Sequence, residues 1–200
     1  MNRREVIRRT AMTLGYAITG PSLIGVLKGC KATPEVNYKP VFFTNEQAAT
    51  VAELSEIIIP KTDTPGAKDA GVPGFIDSML REVYLKEDQD NFLKGLSEFE
   101  AEAQKEYGDN FMSCSRDDQV ALFRKHHDAA VAAMGTGGPT GWWNTGGGAD
   151  KPFVLKVKEL TLLGFFTSEP GATQVLQYNQ VPGPFQGCVP LSQVGKAWAT

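Results

Sequence analysis

Between residues 44 and 166 apolar side chains recur every three to four positions, in stretches closed by proline or glycine. That spacing predicts helices, and no alternating strand pattern competes with it. Thr44 and Gln47 have capping-box spacing, with Phe43 placed to staple the helix start. Ala48, Val51, Leu54 and Ile58 then share one face until Pro60 ends the run. Residues 61–73 are too rich in turn formers for a regular element. A second helix starts at Pro73, with Phe75, Ile76, Met79, Leu80, Val83 and Tyr84 expected inside. A third covers about 88–107 on Phe92, Leu96, Phe99 and Ala103, closed by Gly108. A fourth opens at Ser115 and Asp118, carries Val120, Phe123, Ala130, Val131 and Met134, and closes at Gly135. A fifth begins at Pro152 and runs through Phe153, Val157, Leu160, Leu163 and Phe166. The expected fold is all-α: one domain of about five helices with long irregular loops. An irregular tail follows from Ser168.

The first thirty residues have a different pattern. Arg3 and Arg4 precede Glu5, Val6, Ile7 and Arg8, an order that looks like a twin-arginine export signal. Ala11 to Leu27 is uncharged, mildly apolar and broken by Gly15, Gly20, Pro21 and Gly25. It is short for a membrane span, which needs ~20 apolar residues. Leu27-Lys28-Gly29-Cys30 resembles a lipobox, in which the cysteine becomes the acylated N-terminus. The division is therefore 1–29 signal, 30–43 tether and 44–200 helical domain. The expected location is the periplasm, membrane-anchored through lipidated Cys30 or an uncleaved signal. Two or more acyl chains give stable anchoring.

Charge narrows the partners. Taking the leader's five bases and one acid from the chain's 20 and 23 leaves 15 against 22, a net charge of −7. An acidic domain without a basic stripe argues against nucleic acid. It also leaves membrane attachment to the N-terminus. With Cys30 lipidated, Cys114 and Cys188 remain, in an oxidising compartment where they can bridge or stay as two thiols.

Most chemistry is missing from the sequence. It has no Gly-x-Gly-x-x-Gly after a strand, no Cys-x-x-Cys-His for covalent haem, and no cysteine set for an iron–sulfur cluster. His126 and His127 are adjacent, so on a helix they point ~100° apart and cannot easily share an ion. Asp63, Asp69 and Asp77 lack EF-hand spacing. Residues 135–150 hold seven glycines around Trp142 and Trp143. That aromatic pair either docks a partner or folds back on the domain. No catalytic, cofactor-binding or metal-binding residue is assigned.

Two stretches carry a resemblance. Ile58-Ile59-Pro60-Lys61-Thr62-Asp63-Thr64-Pro65-Gly66-Ala67, running into Gly71-Val72-Pro73 and Phe75-Ile76-Asp77, resembles the signature of gluconate 2-dehydrogenase subunit 3. Lys158-Glu159-Leu160-Thr161-Leu162-Leu163-Gly164-Phe165-Phe166 and the later Val181-Pro182-Gly183 and Gly187-Cys188-Val189-Pro190 agree with it. The resemblance implies a non-catalytic small subunit beside a large flavoprotein of the glucose–methanol–choline type that oxidises sugars or sugar acids. FAD is then expected on that partner and haem c on a third, cytochrome c subunit, with none on this chain. The small subunit is expected to carry its leaderless partner through the twin-arginine translocase. Candidate partner contacts are Thr62, Asp63, Pro65 and Gly66 in the first loop and Trp142 and Trp143 in the second. The alternatives are a free periplasmic lipoprotein binding a sugar or glycan through Trp142 and Trp143, and an enzyme using His127 with nearby acids.

Overall fold

Helix α1, Asn45–Ile58, starts on a complete capping box. The Thr44 hydroxyl accepts from the Gln47 N–H at 3.2 Å, and the Gln47 side chain accepts from the Thr44 N–H at 3.0 Å. Four further helices of more than ten residues follow. They are α2 (Val72–Glu82), α3 (Lys86–Tyr107), α4 (Arg116–Met134) and α5 (Phe153–Phe166), with a short α6 (Leu191–Val194) in the tail. The computed structural model describes residues 36–134, 151–181, 183–184 and 187–199. Among these the all-α expectation holds: the one β feature is an isolated parallel bridge between Gln177 and Trp198.

Helix α5 sits at the centre and packs against α1, α2, α3 and α4. Val154, Lys156, Val157, Leu160, Thr161, Gly164 and Phe165 are all buried, which covers most of its circumference. Such a helix has no clean apolar stripe, and the periodicity misleads. Phe166, expected inside, is 40 % exposed, Leu163 is only half-buried, and Phe165 takes the core position. Close approach also shapes this helix, since a Cβ on Gly164 would lie 2.6 Å from Phe75 Cδ1 of α2.

Two other expectations fail for a related reason. Val83 is 63 % exposed and Val131 47 % exposed. Val83 lies one residue past α2 and turns outward, while half-buried Tyr84 turns in. On α4 the inward positions are Gln119, Leu122, Phe123 and Ala130, so the stripe ends before Val131. The α3 face is as expected, with Phe92, Leu96, Phe99 and Ala103 each at most 1 % exposed. Full burial of one such leucine or phenylalanine stabilises the fold by ~2 kcal/mol.

The core is rich in rings. Phe43, Phe92 and Phe153 form a chain with centroids 5.0–5.7 Å apart, and Phe99 meets Phe111 edge-on at 5.1 Å. Two charges are buried with it. Lys156 reaches Asp88 of α3 at 3.1 Å and lies 5.4 Å above the Tyr84 ring. Asp77 of α2, 1 % exposed, accepts the backbone N–H groups of Val41, Phe42 and Phe43 at 2.7, 3.1 and 2.9 Å. The last residues of the expected tether are thus fastened to the bundle by a single carboxylate. Arg81 adds a bond to the Val41 carbonyl at 2.8 Å. The Tyr38 ring packs near Gly74, and burial, with Asp77 nearby, pushes its hydroxyl pKa up.

Candidate functional site

The α1–α2 loop, residues 59–71, is held by side chains of α1. Glu56 clamps both arms, Oε1 accepting from the Lys61 N–H at 2.8 Å and Oε2 from the Lys68 N–H at 3.0 Å. The Ala67 N–H donates to the Ile59 carbonyl at 2.9 Å, closing the base. Glu53, one turn earlier, pairs with both Lys68 and Arg116 of α4, and Arg116 also reaches the Glu56 carbonyl at 3.2 Å. At the tip the Thr62 N–H donates to the Thr64 carbonyl at 3.0 Å. Lys61 pairs with Asp69 at 2.8 Å, and that ammonium holds the Asp69 carboxyl below its ordinary range.

This arrangement sorts the sequence candidates. Thr62 and Asp63 are exposed, Pro65 is half-buried and Gly66 is buried. Gly66 serves the clamp: a Cβ there would lie 2.4 Å from Glu56 Oε1 and 2.7 Å from the Lys61 nitrogen. Thr62 and Asp63 are therefore offered to solvent on a loop whose shape is already fixed, which lowers the ordering cost of docking. Glu53, Glu56 and Arg116 do not appear among the sequence candidates. The available signal was two glutamates one turn apart on α1, immediately before a turn-rich segment.

The histidines diverge. His126 faces α3, its ring 5.0 Å from Phe99, with Nε2 3.0 Å from Glu102 Oε2 but out of line for a hydrogen bond. The two groups are close enough to attract but form no hydrogen bond. His127 faces α5: Nε2 lies 2.9 Å from Lys158 Nζ and Nδ1 3.1 Å from Asp128. A lysine can only donate, so the neutral ring accepts at Nε2 and carries its proton at Nδ1. The two rings serve different helix contacts. Among the described residues no three His, Cys, Asp or Glu side chains gather to hold a metal ion. An open cavity of about 350 Å³ lies beside His126, between α3 and the start of α5, lined by Gly95, Phe99, Lys151 and Phe153.

Residues 45–183, more than two thirds of the chain, match the family model described as gluconate 2-dehydrogenase subunit 3. The chain belongs to this family. No curated protein and no solved structure matches it.

Membership as a subunit 3 makes the protein an accessory subunit of an oxidoreductase complex and implies partner subunits. In this member the clamped loop falls inside the matched region. Cys114 and Cys188 are separate thiols, Cys114 half-buried and Cys188 exposed. Cys114 Sγ donates to the Asn110 carbonyl at 3.4 Å, and burial, with Asp109 and Asp118, pushes its pKa up. Arg3, Arg4, Cys30, Trp142 and Trp143 lie outside the described residues. Among those described, no helix is long and apolar enough to cross a membrane.

Proposed function

We propose that this subunit 3 is a non-catalytic escort that carries a folded flavin-dependent sugar or sugar-acid dehydrogenase, of the glucose–methanol–choline type, through twin-arginine export. The family match over residues 45–183 carries the reading. The leader supports it: Arg3 and Arg4 supply the export motif, and Cys30 the acylation site that tethers the complex to the periplasmic face of the membrane. A flavoprotein binds FAD as it folds, so its export requires a route that accepts folded cargo. The electrons leave through a cytochrome c subunit. On this account Thr62 and Asp63 touch the partner, and the loop is rigid so that little freedom is lost on docking.

The test is expression of the flavoprotein with and without this chain, followed by assay of sugar oxidation in intact cells with a membrane-impermeant dye, which reads the periplasmic side alone. With the chain, activity reaches the periplasm. Without it, or with Arg3→Lys and Arg4→Lys together, activity stays in the cytoplasm. Export that proceeds equally well without the chain rejects the proposal. Cys30→Ala should move the complex from the membrane to the soluble periplasmic fraction.

A further inference from the structure

We infer that the described parts of the C-terminal tail, residues 176–181 and 187–199, form a preformed docking clip for the companion dehydrogenase subunit, with Tyr178, Val181 and Trp198 as its anchors. The tail is closed by one residue. The Gln177 N–H donates to the Ala197 carbonyl at 2.8 Å, and its carbonyl accepts from the Ala199 N–H at 2.8 Å. The Gln177 amide donates to the carbonyls of Val194 and, at 3.0 Å, Lys196. Among the described residues no hydrogen bond or ion pair joins the clip to α1–α5. Its bonds outside itself reach only its base, from Leu176 to Gly171 and from Lys196 to Gln174.

The shaped tail therefore presents side chains outward. Tyr178 is 60 %, Val181 79 % and Trp198 50 % exposed. Holding some twenty residues in order costs conformational entropy, and little core burial offsets that cost here. Charge selects the occupant. From Pro170 to the end of the chain Lys196 is the single charged residue, whereas every long helix carries several. Charge-poor patches with tyrosine and tryptophan are the composition of protein–protein interface centres. A membrane surface would call for clustered bases, and the one lysine is turned to the Gln174 carbonyl. The family match ends at residue 183, so Tyr178 and Val181 lie within it and Trp198 lies beyond it. Trp198 would then tune the fit to this chain's own partner.

Naming the occupant rests on the function proposed above, and the test separates the two. The tagged full chain is co-expressed with its flavoprotein, the complex is purified, and its dissociation constant is measured for wild type and for Tyr178→Ala with Trp198→Ala. The double variant should weaken binding ~30-fold or more, as loss of a hot-spot pair does, while the helical signal and Tm of the chain stay unchanged. Exposed Cys188 gives a second readout: its alkylation should slow in the complex relative to the free chain. Equal affinity of variant and wild type overturns the clip and leaves the escort role standing. Failure of the wild-type chain to bind the flavoprotein overturns both. Trp198-dependent dimerisation of the chain alone, or Trp198-dependent binding to phosphatidylglycerol vesicles, assigns the clip elsewhere and overturns it.

Discussion

The helical bundle and the tail solve the same problem, holding irregular backbone in shape, by opposite means. In the bundle, charged side chains reach across the sequence. Asp77 holds Val41–Phe43, Glu56 clamps the arms of the 59–71 loop, and Glu53 ties that loop to Arg116 of α4. In the tail, uncharged Gln177 closes a loop on itself and leaves its aromatics in solvent. The difference teaches that recognition is joined to stability in the clamped loop and kept apart from it in the tail. Breaking a bundle clamp should unsettle the fold, whereas cutting the tail's anchors should cost binding alone.

The largest expected effect is at the buried Lys156–Asp88 pair. Asp88→Ala strands an ammonium whose side chain is only 7 % exposed, and should destabilise by about 3–5 kcal/mol in urea unfolding. Replacing both residues by methionine should recover most of that loss. If Asp88→Ala is neutral, the pair is not part of what holds α3 to α5.

Gly66→Ala comes next. Its Cβ collides with the Glu56 carboxylate, and either the clamp or the loop must shift, at about 1–3 kcal/mol. The variant should also weaken partner binding, because Thr62 and Asp63 move with the loop. Gln177→Ala sharpens the contrast: bundle stability should change by less than about 0.5 kcal/mol. A large fall in Tm for this variant would show that the tail supports the core after all.

The smallest effect is a pH dependence. The Lys125 ammonium hydrogen-bonds Glu102 and, with His126 and Lys105 nearby, outweighs burial to hold that carboxyl below its ordinary value. Its contribution is therefore complete above the unfolded carboxylate pKa of about 4.3 and is lost as pH falls through the lower folded value. Lys125→Gln should flatten the acid limb of a stability–pH curve slightly. An unchanged limb would show that the pair is fully screened.

Much of the bundle was legible because its signals are local. The Thr44–Gln47 box spans four residues, and the α3 stripe repeats a single period. Helix α5 was readable as a helix but not in its facing, since burial on nearly all sides erases the contrast between faces. The clamps were illegible for a different reason. Asp77 meets Val41 36 positions back, and Glu53 meets Arg116 63 positions on. Spacing along the chain cannot show such pairs. Thr62 and Asp63 stood out as motif residues, but their rigid setting emerged only with Glu56 in place. Tyr178 and Trp198 gave no periodic signal at all.

Whether this chain and a flavoprotein travel as one particle decides the escort role most directly. Size-exclusion chromatography with light scattering, on the co-expressed pair extracted from the membrane in mild detergent, measures that. The account predicts a stable hetero-complex whose flavin absorbance and sugar-oxidising activity stay with the large subunit after separation. Recovery of the chain without the flavoprotein, or of flavin or turnover on the small chain after separation, would contradict it.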